Sequence, residues 1–280
     1  MQNQTSPVIL TFGVCDPVGA IGIQADLAAF SALGCHGISV TTALLIGDSA
    51  RIEATLDIEP GWVSDQARVL LEDMQVAAIK IGALGGIEHV AAIAEIVSDY
   101  PDVPLILDPF ISSLPEQGQD NLELLMALRQ LLIPQATLLM LSQVELERLA
   151  ETWRDSSAND MLQDDISHLV ALGCEFVLVT GTRSPGDGTA RSQTCANTLF
   201  DSDGIVRHDS WQHLVGPFVG AGSTLSAAIA ALMARAIDAP AAVMEAQEYT
   251  AGTLKHAQRF GMGKLVPNRF FRLNNDLQHV

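Results

Sequence analysis

Six short apolar runs set the architecture of this chain: "VILTF" (8–12), "ISVTTALLI" (38–46), "AAIKIGAL" (77–84), "PLILDP" (104–109), "ATLLML" (136–141) and "FVLVTG" (176–181). Each has the length of a strand, and segments of helical period lie between them, at 22–34, 62–74, 87–100, 121–133, 143–153 and about 159–172. A continuous apolar strand is buried on both faces, and strands separated by helices run parallel. The pattern therefore predicts an α/β fold: three layers, α/β/α, around a central, mostly parallel sheet. In "GIQADLAAFSALG" (22–34) Ile23, Leu27 and Phe30 share one face, and Gly34 is a stop signal. Ser142 is a fair N-cap for the helix at 143–153. Beyond the sixth strand, "ANTLFDSDGIVRHDSW" (196–211) reads as a hairpin turning at Asp203 and Gly204. The loop "TRSPGDGTARSQ" (182–193) reads either as a mobile flap or as a plain connection, and the tail after about 262 as irregular. With no repeat or linker in view, residues 1–280 are expected to form a single domain.

Sheets of this kind bind ligands outside the carboxyl ends of their strands. The chemically suggestive residues fall there: the glycines of 13–22, Gly47 with Asp48, the glycines of 82–86, Asp108, Glu145 and Gly181. A further turn, made of Gly220, Ala221, Gly222 and Ser223, opens the most apolar helix of the chain. Free N–H groups and the helix dipole attract anions at such a start, although a tight turn capped by Ser223 or Thr224 would explain the same residues. The spacing is neither GxxxxGK[ST] nor GxGxxG. Asp108 ends a strand and Glu145 opens a helix, where its charge also suits the dipole. Two acids at neighbouring strand ends beside an anion-holding turn suit magnesium and a nucleotide phosphate. Asp16 and Asp26 flank the first glycine loop; Asp16 reads as an Asx turn before Pro17, and Asp26 is the better functional candidate.

Composition removes several alternatives. Acidic residues number 33 against 15 basic ones, a formal charge of −18, and the lysines are only Lys80, Lys255 and Lys264. A nucleic-acid surface needs clustered cations, so nucleic acid is not an expected partner, and neither is an anionic membrane. No uninterrupted apolar run reaches the roughly 18 residues of a membrane span. The first residues, "MQNQTSPVILTFG", lack the basic start of a secretory signal. Cys15, Cys35, Cys174 and Cys195 show no CxxC spacing, and Cys35 and Cys174 lie in apolar runs suited to buried thiols. A cytoplasmic protein is expected. The histidines show no ligand spacing, and residues 220–224 do not form the G-x-S-x-G elbow of a serine hydrolase.

Four stretches, in this order, carry a family resemblance: "DPVGAIGIQADLAAFSALGCHGISVTTAL" (16–44), "KIGALG" (80–85), "LDP" (107–109) and "GAGSTLSAAIAA" (220–231). Over about residues 8–258 the chain resembles the hydroxymethylpyrimidine and phosphomethylpyrimidine kinases of thiamine biosynthesis, within the ribokinase-like superfamily. The first stretch is specific to the pyrimidine-kinase branch and its pyridoxal-phosphorylating relatives; the last is a superfamily signature. The resemblance implies a ribokinase-like fold, ATP- and Mg2+-dependent phosphoryl transfer to a primary alcohol of a small molecule, and a homodimer. It puts Gly220, Ala221 and Gly222 around the transferring phosphoryl group and Ser223 at the position of the base. Asp108 and Glu145 would organise magnesium and its waters. Asp26, Ile21 and Gly22 would line the substrate side, with Gly47, Ala83 and Phe110 against the pyrimidine. Ser142, Thr180 and Gly181 would lie near ATP.

The chain departs from that family at the site. Cysteine or aspartate is the family's residue at 223, and a serine hydroxyl neither ionises near neutrality nor keeps an accepted proton. The pyrimidine-binding glutamine falls at Gly47, a packing methionine at Ala83, and a smaller residue at Phe110. The asparagine of the family's N-x-x-E falls at Ser142, the lysine after "LDP" is absent, and the lysine of "VKGG" is Thr180. The resulting expectation is a pocket with a recut wall and weakened nucleotide binding. The chain would be a slow pyrimidine kinase. The alternatives are a kinase for another small alcohol, such as a pyridoxal-like ring, and a degenerate paralogue that binds or regulates without turnover.

Overall fold

The computed structural model describes residues 6–109, 119–154, 162–182, 194–212 and 214–273. Its frame is a nine-stranded sheet of order β3-β2-β1-β4-β5-β6-β7-β8-β9. The strands β1 (Val8–Cys15), β2 (His36–Gly47), β4 (Ala78–Ile81), β5 (Leu105–Leu107), β6 (Leu138–Ser142) and β7 (Phe176–Thr182) pair in parallel. These are the six apolar runs. At one margin β3 (Ile52–Asp57) returns antiparallel on β2; at the other, β8 (Thr194–Asp201) and β9 (Gly204–Gln212) form the expected hairpin.

Two apolar layers cover the sheet, and the two-residue period of the strands divides side chains between them. In β1, Leu10 and Phe12 pack with helices α2 (Pro60–Asp73) and α3 (Ile87–Ser98), together with α4 (Gln119–Ala127), α5 (Gln143–Ala150) and α6 (Leu162–Ala171). Ile9, one residue before Leu10, joins the other layer, with α1 (Gly22–Ala32), α7 (Ala221–Ala234) and α8 (Ala239–Lys255). Helix α7 is apolar almost all round because it lies within this layer.

Local differences from the sequence reading have physical causes. The segment 121–133 is not one regular helix. The α-helix ends at Ala127, a π turn spans Leu128–Leu132, and a 3-10 turn carries Pro134, which lacks an amide hydrogen. Strand β3 was not anticipated because its side chains are all exposed; backbone pairing to β2 holds it. Helix α8 was also missed, although Asp238 accepts a hydrogen bond from the Ala241 amide and Pro240 sits in the first turn, both readable start signals. The loop expected at 182–193 lies almost wholly outside the described residues. Of the tail beyond 262, the described residues 263–273 have little regular structure but are hydrogen-bonded into the fold: Leu265 bridges Phe218, and Val266 bridges Gln258. Among the described residues, no helix is long and apolar enough to cross a membrane.

Candidate active site

A cavity of about 550 Å³ opens at the carboxyl ends of the parallel strands. Four parts of the chain build it: the loop after β1, the β2–β3 connection, the ends of β5, β6 and β7, and the turn before α7. Lys264, from the C-terminal segment, completes the lining.

The loop after β1 is organised by Asp16. Its carboxylate accepts hydrogen bonds from the amides of Val18 (2.9 Å), Ala20 (2.9 Å) and Ile21 (3.0 Å). The expected Asx turn is present, and it presents Ala20 and Ile21 to the cavity. Gly22 follows with φ +62°, and a Cβ there would sit 2.1 Å from the Val14 carbonyl oxygen, so only glycine lets α1 start this close to β1.

Asp26 does not line the cavity, contrary to its assignment to the substrate side. It is 0% exposed. Its carboxylate takes the Lys80 ammonium at 2.8 and 2.9 Å and the Thr11 hydroxyl at 2.7 Å. Lys80 is itself 1% exposed. A buried carboxylate requires such a partner. The one charge inside the apolar run "AAIKIG" was the available signal: a lysine there needs an acid nearby. Lys80 connects the pair to the site, because it borders a small space shared with Asp108 and Ser223.

The turn before α7 is shaped by Gly220, with φ +86°; a Cβ there would lie 1.8 Å from the Ala20 carbonyl oxygen. Gly220, Ala221, Gly222 and Ser223 all line the cavity. The first regular helical bond runs from the Thr224 amide to the Gly220 carbonyl at 3.0 Å. The amides before it, at 221–223, have no partner within the helix and can serve an anion.

Asp108 and Glu145 both line the cavity and both are buried. Burial pushes the Asp108 carboxyl up to about 6, against the opposing pull of Lys80 and the Ser226 hydroxyl. Ser226, on α7, donates to Asp108 Oδ2 at 2.6 Å. Glu145 and Ser142 form a capping box. The Ser142 amide and hydroxyl each donate to Glu145 Oε2 at 2.8 Å, and the Glu145 amide donates to Ser142 Oγ at 3.2 Å. Two carboxylates are a sparse set for a cation, and among the described residues no cluster of three or more His, Cys, Asp or Glu forms a metal site. Magnesium is commonly held by one or two carboxylates plus waters and phosphate oxygens, so the donor set fits that ion.

The other predicted positions divide. Ile21, Gly47, Ser142 and Thr180 line the cavity. Gly181 does not; it is the penultimate residue of β7, with φ +72°, and its amide donates to Asn197 Oδ1 at 3.2 Å. Gly22 and Ala83 do not line this cavity; they border the small space beside Lys80, whose volume of about 10 Å³ is about the least that admits one water molecule. Loss of bulk at 83 has therefore not enlarged the pocket. Gly47 is similarly constrained, since a Cβ would meet the Arg51 carbonyl oxygen at 2.7 Å. Phe110 lies outside the described residues. Cys35 and Cys174 are buried free thiols, as expected. The sequence reading passed over the C-terminal contribution: Lys264, whose amide donates to the Ser49 carbonyl at 2.8 Å, and Arg269, buried behind the turn before α7. No local periodicity marks either residue.

Known proteins resemble this chain in sequence and in fold. The family model described as phosphomethylpyrimidine kinase matches residues 16–268. The hydroxymethylpyrimidine/phosphomethylpyrimidine kinase of Escherichia coli is 32% identical over 256 residues, covering 91% of this chain and 93% of that protein. Among solved structures, a phosphomethylpyrimidine kinase from Clostridium difficile aligns with a TM-score of 0.69 and 26% identity, covering 88% of this chain and 98% of that one. A pyridoxal kinase from Bacillus subtilis, solved as an ADP complex, aligns with a TM-score of 0.83 over 96% of this chain and all of that one; at 23% identity it speaks to the fold. The ribokinase-like α/β architecture expected from the sequence is thus the observed one, and the chain belongs to the phosphomethylpyrimidine kinase family.

Proposed function

We propose that this chain is an ATP- and magnesium-dependent kinase that phosphorylates hydroxymethylpyrimidine or its monophosphate, slowly. The observation that carries the reading is the convergence of the amide turn at 220–223 with Asp108 and Glu145 on one cavity, in a member of this family. Magnesium-bound ATP would supply the phosphoryl group and neutralise its charge. The amides of 221–223 orient and stabilise the oxygens of the group in transfer. Asp108 and Glu145 hold the cation through oxygen donors, with Ser142 and Thr180 on the nucleotide side. Ser142 fixes Glu145 in one rotamer through the capping box. Ile21 and Gly47 bound the space for the alcohol.

Ser223 can hydrogen-bond the substrate hydroxyl but cannot keep its proton. Base assistance is commonly worth about 10²–10⁴-fold. Phosphoryl transfer depends mostly on positioning and electrostatics, which the remaining groups supply. The same serine favours a second reading, a ligand-binding protein without turnover. Release of ADP from ATP and magnesium decides, with hydroxymethylpyrimidine, its monophosphate, pyridoxal and a few sugars as acceptors. Turnover with a pyrimidine supports the kinase. Calorimetric binding of a pyrimidine without ADP release supports the second reading. A cytoplasmic location and a homodimer belong to the same proposal, and sedimentation of the purified protein tests the latter.

A further inference from the structure

The loop after β1 and the first turn of α7 are distant in sequence, and Arg269 lies between them. Its side chain is buried, with the residue 5% exposed. The guanidinium donates to three groups: Nη1 to the Gly19 carbonyl at 3.0 Å, Nη2 to the Ala20 carbonyl at 2.6 Å, and Nε to Thr224 Oγ1 at 3.1 Å. Thr224 Oγ1 passes the link on by donating to the Gly220 carbonyl at 2.7 Å. The missing side chain of Gly220 is what admits this packing, since a Cβ would fall 1.8 Å from the Ala20 oxygen and 3.1 Å from Arg269 Nη2. Tyr249 secures the arginine backbone through a hydrogen bond to its carbonyl at 2.7 Å. Among the described residues, no carboxylate forms an ion pair with Arg269. Asp26 and Asp16 act on it only at longer range. Carbonyl and hydroxyl oxygens solvate the cation but leave its net charge in place.

We propose that Arg269 is a positioning residue of the site. Its fork holds the 16–21 loop against the first turn of α7 and, through Thr224, fixes the peptide that follows Gly220. Its charge lies behind the amides of 221–223 and favours an anion in front of them. The consequence for phosphoryl transfer rests on the kinase reading above; the geometry does not. The residue lies just past the stretch matched by the family, which ends at 268. A lysine would keep the charge without the planar fork that reaches three acceptors.

The test uses Arg269→Met, Arg269→Lys and Thr224→Val in the full chain, with turnover and amide hydrogen exchange measured on each. Arg269→Met is expected to lower kcat by about 10²-fold, as misplacement of a reacting group by an ångström does, with KM for the alcohol little changed. Exchange at the amides of Ala20, Ile21 and Thr224, which are hydrogen-bonded in this structure, should accelerate by about tenfold or more while β4 and β6 keep their protection. Arg269→Lys should recover part of kcat, because charge returns without the fork. Thr224→Val, which keeps the guanidinium, should lower kcat by about tenfold and speed exchange at the amide of residue 224 but not at Ala20 and Ile21. A merely structural arginine would give faster exchange throughout the sheet and wild-type kcat in the folded fraction, which overturns the proposal. If Arg269→Met does not fold, Thr224→Val decides, and wild-type kcat and exchange in that variant overturn it. If the wild-type protein turns over no acceptor, the kinase reading fails separately. Exchange at the amides of Ala20, Ile21 and Thr224, with calorimetric affinity for β,γ-methylene-ATP, then decides positioning; neither changing in Arg269→Met would sink it.

Discussion

The two walls of the cavity are built by different means. The wall proposed to face phosphate, with Asp108, Ser142, Glu145, Thr180 and the turn at 220–223 (the phosphate wall), is assembled from strand ends and helix starts. Its polar groups are held locally, as in the Ser142–Glu145 capping box. The wall proposed to face the acceptor, with Ala20, Ile21, Leu45, Gly47 and Val219 (the acceptor wall), is largely apolar and joins the end of β2 to two loops. Departures from the family pattern fall on both walls and differ in kind. On the phosphate wall Ser142 and Ser223 keep polar side chains, although Thr180 lacks the family's cation, and Ser142 keeps a hydrogen-bonding role. On the acceptor wall the replacement at Gly47 is locked in, because the β2–β3 connection has closed over the space a side chain would need. Chemistry can therefore be restored on one wall by a single substitution and on the other it cannot.

The largest effect expected is at Asp108. Asp108→Asn should lower turnover by roughly 10³-fold or more, by removing a charge that faces the cation. It should also stabilise the fold. The carboxyl titrates near 6 in the folded chain, above its ordinary 3.8, so the folded state binds the extra proton between those values. Stability consequently falls as pH rises through that window, and the burial penalty is complete above about 6. At neutral pH without magnesium the asparagine variant should be more stable by on the order of 2–3 kcal/mol, a difference that closes as pH falls toward 4. Urea denaturation of both proteins across pH 4–8 measures it, and a constant difference would refute the assignment.

Removing the cation behind the acceptor wall comes next. Lys80→Met leaves Asp26 buried without its partner and should destabilise the protein by about 3–5 kcal/mol. Asp26→Asn added to Lys80→Met should recover much of that loss, and a double variant no more stable than the single one would show that the pair is not coupled. Smaller again is the expected gain from Ser223→Cys. If only the base is missing, turnover should rise about 100-fold, the lower end of the range of general-base assistance. Unchanged turnover would move the deficit to nucleotide binding. The smallest effect tests the acceptor wall itself. Gly47→Gln should destabilise by about 1–3 kcal/mol through overpacking and should not improve KM for the pyrimidine. An improved KM would mean that the β2–β3 connection yields easily and that the two walls differ less than described.

What could be read from the sequence was whatever is encoded within a few residues. Apolar runs of strand length, helical periodicity, the Ser142 cap and the glycines of the turns at 22 and 220 all depend on local backbone geometry, and they gave the layers, the parallel core of the sheet and the position of the cavity. The order of four family stretches added the chemistry. Tertiary structure alone decided which acid faces which way. Asp16 and Asp26 look alike in sequence; contact with Lys80, 54 residues away, takes Asp26 into the core, while three amides hold Asp16 at the cavity. The exposed strand β3 exists because β2 offers it an edge, and Arg269 reaches carbonyls about 250 residues earlier in the chain. Period and capping leave a trace in neighbouring residues; a contact across the fold leaves none until the chain has closed and burial demands a partner for each charge.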